Sequence, residues 1–162
     1  PISVPGGKVS IIDLTSQSWL TTNEVNRTLW KHWLVVAQPD DLKHSTALLL
    51  ISGGNNKDGR LPKPSKELLM IANATKSVVA ELRMVPNQPL IFHGDGKPRT
   101  EDDLIAYTWD QFLRTGDERW PARLPMTKSA VRAMDAVTAF LASDDASFVT
   151  GSVLTANPRT VP

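Results

Sequence analysis

The sequence predicts a single α/β domain: a mostly parallel sheet with helices on both faces. Three observations predict it. Thr46-Ala-Leu-Leu-Leu-Ile51 is an unbroken apolar run that stops at Ser52-Gly-Gly-Asn-Asn56, the pattern of an inner strand buried on both faces and ended by a turn. Strand-like and helix-like segments alternate along the chain, as a sheet with crossover helices requires. Finally, 162 residues, 41% of them hydrophobic and 22% charged, suffice for one substantial core.

Each element has a local reason. Pro1 to Lys8 is rich in proline and glycine and reads as a lead-in, after which Val9-Ser-Ile-Ile-Asp-Leu14 reads as a first strand. Thr15 to Glu24 reads as a polar connection. Leu29-Trp-Lys-His-Trp-Leu-Val-Val-Ala37 alternates and then becomes continuously apolar, a second strand that Pro39-Asp40-Asp41 terminates. These two strands suit an antiparallel edge. After the Gly-Gly turn, Asn55 to Pro64 is a charged surface loop, and Ser65 is placed to cap a helix carrying Leu68, Leu69, Ile71 and Ala72 on one side.

Ser77 to Met84 reads as the next strand. Val85 to Arg99 then holds too much proline and glycine for regular structure. Thr100-Glu-Asp-Asp103 resembles a capping box opening a helix through Leu104, Tyr107, Trp109, Phe112 and Leu113 to a stop at Gly116. A last helix, about Met126 to Ala142, carries Ala130, Val131, Met134, Val137, Ala139 and Phe140 at helical spacing, with Pro125 at its start and Thr127 as its cap. Phe148-Val-Thr-Gly-Ser152 reads as a short strand delivering a serine into a turn.

Several function classes are excluded. Lys and Arg exceed Asp and Glu by one residue, 18 against 17, and are scattered among them, so there is no nucleic-acid footprint. No apolar stretch approaches membrane-spanning length. The absence of cysteine rules out disulfides, thiolate nucleophiles and thiolate metal sites. No cofactor is indicated.

The candidate chemistry lies at strand ends. Gly53, Gly54 and Asn55 form a loop whose backbone N–H groups suit a developing oxyanion, or else a turn that simply needs positive φ. Ser152 is a nucleophile candidate, although Gly151 directly precedes it and Leu154 stands where the second glycine of a Gly-x-Ser-x-Gly elbow belongs. The loop after Met84 offers Asn87, His93 and Asp95 on the side where ligands meet parallel strands. Two ligands, His93 and Asp95, do not make a metal site, and none is assigned. His32, between Trp30 and Trp33, reads as structural, and His44 as solvated. Glu101, Asp102 and Asp103 are consecutive and serve a helix N-terminus better than paired acid-base work. Of the five tryptophans, four lie in strand or helix patterns that favour burial, and Trp120 lies in a loop.

Longer blocks carry a family resemblance. Asp13-Leu-Thr-Ser-Gln-Ser-Trp19, Leu29-Trp-Lys-His-Trp33, Val79-Ala-Glu-Leu-Arg-Met-Val-Pro-Asn-Gln-Pro-Leu90, Glu101-Asp-Asp-Leu-Ile-Ala-Tyr-Thr-Trp-Asp110 and Leu124-Pro-Met-Thr-Lys-Ser-Ala-Val-Arg-Ala-Met-Asp135 together resemble the PhoPQ-activated pathogenicity-related proteins. The resemblance runs from about Val9 to Phe148 and implies the amino-terminal half of an α/β-hydrolase-like fold in an exported bacterial protein, periplasmic or secreted. Family members carry a Gly-Ala-Ser-Lys-Arg-Gly-Trp nucleophile turn. Here Thr150-Gly-Ser152 is followed by Val-Leu-Thr-Ala-Asn-Pro-Arg-Thr-Val-Pro162, so residues 149–162 read as a divergent tail.

The expectation is therefore one partial hydrolase-like domain over residues 1–162, acting on an ester or amide when complete and inactive alone. A second chain or a homodimer would complete its sheet. The alternative is a non-catalytic binding or signalling protein that keeps the fold.

Overall fold

A computed structural model describes residues 1–142 apart from positions 58, 64 and 65. The strands are β1 Ile2–Val4, β2 Gly7–Ser18, β3 Leu29–Pro39, β4 Ala47–Ile51, β5 Val78–Leu82, β6 Leu90–Ile91 and β7 Pro98–Arg99. The helices are α1 Lys66–Thr75, α2 Glu101–Thr115 and α3 Arg123–Leu141. Five strands form one sheet in the order β1-β2-β3-β5-β4, and β6 pairs with β7 separately.

The α/β class with helices on both faces is present, but the sheet is mixed, not mostly parallel. Among the described residues only β4 and β5 run parallel, joined through α1, while β1, β2, β3 and β5 pair antiparallel. An apolar run reports burial and carries no information about the direction of the neighbouring strand. The expected inner strand, β4, is an edge strand among the described residues. Leu48 and Ile51 accordingly remain 44% and 54% exposed. The expected strand at Phe148 lies outside the described residues, as do the Ser65 cap and the 149–162 tail.

Alternation along the strands sorts the core. Leu34 and Val36 of β3, with Val78, Ala80 and Leu82 of β5, face Ala133 and Val137 of α3. Val35 and Ala37 of β3, with Val9 of β2 and Val79 of β5, meet Leu68 and Ala72 of α1. A third cluster, Trp19, Val25, Trp30, Leu90, Phe92, Leu104, Trp120 and Ala122, closes the end of the sheet beneath α2. Trp19, Trp30 and Phe92 meet there edge to face, and Phe92 stacks on Tyr107 at 4.7 Å. Trp120 is thus buried from a loop, whereas Trp109, placed inward by pattern, is 42% exposed on α2.

Three boundaries depart from the sequence reading. β1 is a strand because Pro5 and Gly6, with φ of +82° at Gly6, reverse the chain between the paired Val4 and Gly7. β2 runs on to Ser18 through an irregularity between Thr15 and Gln17, where Ser16 is the extra residue of a β-bulge. In α3 the buried stripe is Pro125, Ser129, Ala133 and Val137, while Val131 and Met134 face outward. The stripe is made of small side chains, which let the helix lie directly on the sheet. Thr127 bonds back to the Arg123 carbonyl inside the helix rather than capping it.

α2 starts and stops by different means. Gly116, at φ of +71°, ends it by donating its N–H to the Phe112 carbonyl, as its sequence position predicts. At the other end Thr100 makes no side-chain cap. The Gln88 side chain does the work instead, its Oε1 accepting the Glu101 N–H at 2.7 Å and its Nε2 donating to the Glu101 carboxylate.

The residue after α1 is Lys76, a non-glycine at φ of +52°. The left-handed region costs an L-residue roughly 1–2 kcal/mol, and glycine avoids that strain while losing some chain entropy. Lys76 also pairs with the exposed Asp41, a contact worth little. Lys76→Gly is expected to stabilise the fold by about 0.5–1 kcal/mol in urea denaturation.

Candidate functional site

The turn at the carboxyl end of β4 is the rim where the sequence places the candidate chemistry, and it is tightly built. Ser52 continues the ladder by donating its N–H to the Leu82 carbonyl, and the chain then departs through Gly53. Met84 donates its N–H to the Gly53 carbonyl at 2.9 Å and Val85 donates to the Ser52 carbonyl at 3.1 Å, so the β5 exit is clamped against the glycines. Two residues in unusual conformations meet in this clamp, Gly54 at φ of +140° and Met84 at φ of +65°. A Cβ on Gly54 would lie 3.3 Å from Met84 Cγ. Strained backbone held on both sides by hydrogen bonds is a frequent property of ligand sites.

The recess at this turn has a volume of about 230 Å³ and is lined by Trp33, Gly53, Gly54, Asn55, Arg60, Arg83 and Met84. Among the described residues no acceptor takes the N–H of Gly53, Gly54 or Asn55. Three consecutive amides are therefore available to an anion or to water. The Arg83 guanidinium beside them is turned to Glu81, with Nε and an Nη at 2.9 and 2.7 Å, and Ser52 Oγ donates to the other Glu81 oxygen at 2.9 Å. Arg83 thus contributes a neutralised pair at the recess.

Asn87, His93 and Asp95 do not converge there. Asn87 is buried and structural: its amide donates to the Lys31 carbonyl and its Oδ1 accepts from Asn56 Nδ2 at 3.2 Å. His93 is exposed, with its backbone N–H on the Glu24 carbonyl. Asp95 holds Arg99 and accepts the Lys97 N–H, and these two contacts keep its carboxyl below the usual range, the backbone bond first. Arg99 lies 4.2 Å over the Tyr107 ring. Burial, with the Asp95 charge adding to it, pushes the Tyr107 phenol up. Asp95 belongs to this packing unit on α2. Ser152 lies outside the described residues, and among the described residues no group of three potential ligands could hold a metal.

Sequence reasoning missed the residues that shape the turn. Asn56 bridges it to the following loop, its N–H on the Gln88 carbonyl at 2.6 Å and its Nδ2 also on the Pro89 carbonyl. Both X-Pro bonds of that loop, Val85–Pro86 and Gln88–Pro89, are cis. Glu101 Oε1 stands 3.7 Å from where a Cβ of Gly53 would be. The signal available was the Asn-Gln-Pro block itself, in which Asn87 suggests a ligand-facing residue, whereas Asn87 turns to Lys31 of β3 and to Asn56, and Gln88 to Glu101 of α2.

His32 is structural, as its setting between tryptophans suggests. It is fully buried, and its Nδ1 must carry hydrogen because it faces the Arg83 carbonyl at 3.2 Å. Its Nε2 in the neutral ring then accepts from Ser16 Oγ at 3.0 Å.

Comparison with known proteins places these features in a lineage. The family described as PhoPQ-activated pathogenicity-related protein matches residues 2–155. Autocrine proliferation repressor protein A of Dictyostelium discoideum is 41% identical over 132 residues, 80% of this chain and 26% of that protein. The chain thus spans about a quarter of the length of this curated relative, whose source extends the similarity beyond bacteria. No solved structure matches.

The turn geometry separates two glycines. Gly54→Val is expected to destabilise the protein by roughly 1–3 kcal/mol, through its positive φ and the Met84 contact. A Cβ on Gly59 would have nothing within 4 Å, so Gly59→Val should change stability by less than about 0.5 kcal/mol. Thermal melts of the two variants check this, and equal losses would contradict the clamp.

Proposed function

Because the chain belongs to the PhoPQ-activated pathogenicity-related protein family, we propose that it supplies the oxyanion side of a serine-hydrolase-like fold acting on an ester or amide, and that it is inactive as this chain alone. The observation that carries the reading is the Gly53-Gly54-Asn55 loop. Its three amides lack acceptors among the described residues, and it sits at the carboxyl end of a strand in the one parallel β-α-β unit. In α/β-hydrolases such a loop after an early strand donates N–H groups to the tetrahedral oxyanion. Three antiparallel strands, β1 to β3, leading into a parallel pair, with helices on both faces, are compatible with that fold.

The nucleophile in this reading is Ser152, and its base must come from elsewhere. In α/β-hydrolases the histidine follows the nucleophile in chain order, whereas His32, His44 and His93 all precede Ser152. His32 is in any case committed to the core. Export to the periplasm or medium is part of the proposal and rests on the family resemblance. So does a partner, either a second chain or a second copy, that pairs with the β4 edge; exposed Leu48 and Ile51 support it. Among the described residues no helix is long and apolar enough to cross a membrane.

A second reading is a non-catalytic binding or signalling protein. The observation favouring it is the name of the Dictyostelium relative, which speaks of repressing proliferation and of no reaction. Fold alone does not separate the two.

A fluorophosphonate probe on the protein as its source produces it tests the choice. Labelling of one serine is expected for the hydrolase, and a folded sample without labelling supports the second reading. For the 162-residue chain by itself, no turnover of a short-chain nitrophenyl ester is expected, and turnover abolished by Ser152→Ala would overturn its inactivity. Light scattering should show a dimer or a bound second chain, and a monodisperse monomer at micromolar concentration would remove the partner from the proposal.

A further inference from the structure

We propose that His32 is a proton-sensitive latch that couples the seating of α3 on the sheet to the geometry of the Gly53-Gly54 turn. The basis is a continuous line of hydrogen bonds through the core. Trp30, His32, Leu34 and Val36 lie on one face of β3, Leu34 and Val36 against α3 and Trp30 in the cluster beneath α2, and His32 is the one titratable member of the row. The bulge at Ser16 allows two consecutive side chains of β2 to reach inward, Ser16 to the ring and Gln17 to the helix. Gln17 Nε2 donates to the Pro125 carbonyl at 2.6 Å and to Ser129 Oγ at 3.1 Å. The one Ser129 hydroxyl hydrogen is shared between Ser16 Oγ at 3.1 Å and the Pro125 carbonyl at 2.9 Å, and it is the first of these bonds that carries the line to Ser16. Ser16 Oγ donates to His32 Nε2, and His32 Nδ1 donates to the Arg83 carbonyl.

The line ends at the turn. Arg83 precedes Met84, whose left-handed backbone donates to the Gly53 carbonyl and packs on Gly54. Movement of the Arg83 carbonyl is therefore movement of the glycine clamp, and movement of Ser129 is movement of the first half of α3.

Protonation acts on this line through charge. Among the described residues, the groups facing the ring are the Ser16 and Ser129 hydroxyls, the Trp30 ring and the Arg83 and Met84 backbone, none of them ionisable at neutral pH. The charges on the surrounding elements are engaged or exposed. Lys31 of β3 pairs with Asp13 of β2, the Arg83 side chain pairs with Glu81, and Lys128 and Arg132 lie on the exposed side of α3. An imidazolium at this position would be buried without a counter-ion, which strongly favours any state in which it reaches water.

Burial lowers the affinity of His32 for a proton, only partly offset by the Arg83 and Met84 backbone. The sign follows. The opened state binds the proton more tightly, so the latch is at full strength above the ordinary value of 6.5 and is lost progressively as pH falls below it, toward the lowered value in the fold. An acidic compartment would thus loosen α3 and the turn together, whatever chemistry the turn serves.

NMR of the 162-residue chain between about pH 7.5 and about pH 5 tests the latch. The His32 ring is expected to titrate below 6.5, with the amides of Gly53, Gly54 and Ser129 moving at the same midpoint. His32→Gln keeps a donor and an acceptor but no titration, and should abolish that shared movement. Gly53 and Gly54 shifts that ignore the His32 midpoint, or that persist in His32→Gln, overturn the proposal. Ser129→Ala combined with Gln17→Leu provides a second arm should the glutamine variant fail to fold. Both side chains that tie Ser16 to α3 are then gone, so the α3 amides should lose the His32 midpoint while Gly53 and Gly54 keep it. α3 amides that still follow His32 in this double variant also overturn the proposal.

Discussion

Strand β3 is paired along both edges and covered on both faces, so its register decides which side chains meet α1 and which meet α3. A slip of one residue would send Trp30, His32, Leu34 and Val36 to the wrong layer and bring Val35 and Ala37 under α3. The bulge at Ser16, the direction of β5 and the position of the Gly53-Gly54 turn are all measured from this strand. The turn is held by Met84, Met84 follows Arg83, and Arg83 is fastened to β3 twice, through the Trp33 carbonyl and through His32.

Much of this frame was legible in the residues. The apolar runs at Leu29–Ala37 and Thr46–Ile51 became β3 and β4 because a short apolar run bounded by turn residues is a strand signal, although only in β3 does the run record deep burial. Gly116 stopped α2 because an isolated glycine after an amphipathic stretch has one common use. Strand direction was not legible, since antiparallel and parallel neighbours bury the same side chains. The α3 stripe was misread for a related reason. Val131 and Met134 are the larger apolar residues and draw the eye, yet close packing on a sheet selects Ser129 and Ala133 by size.

The candidate site divides in the same way. Gly53 and Gly54 announced themselves, because a glycine pair after an apolar run is a local signal. Met84, Asn56 and Gln88 did not, because their roles depend on partners about thirty residues away or on a neighbouring loop. Asn87 illustrates the cost of reading polarity as solvent exposure. It stands in a proline-rich loop and is nonetheless 1% exposed, since its amide satisfies the Lys31 carbonyl of β3 and the Asn56 side chain.

The contacts that fasten α3 and its approach to the sheet are unusually distant along the chain. Trp19 Nε1 to the Arg119 carbonyl, Gln17 to the Pro125 carbonyl and Ser16 to Ser129 close loops of 100, 108 and 113 residues. Loop closure of that length is entropically expensive and slow to be rewarded. During synthesis, therefore, the β2–β3 hairpin, complete at Pro39, must emerge with its Trp30–Val36 row uncovered and wait until α3, which begins only at Arg123, has been made. The growing chain has most need of a chaperone in that interval, and the polar Ser16–His32 patch in the middle of the row makes the waiting surface less adhesive than an all-apolar one would be.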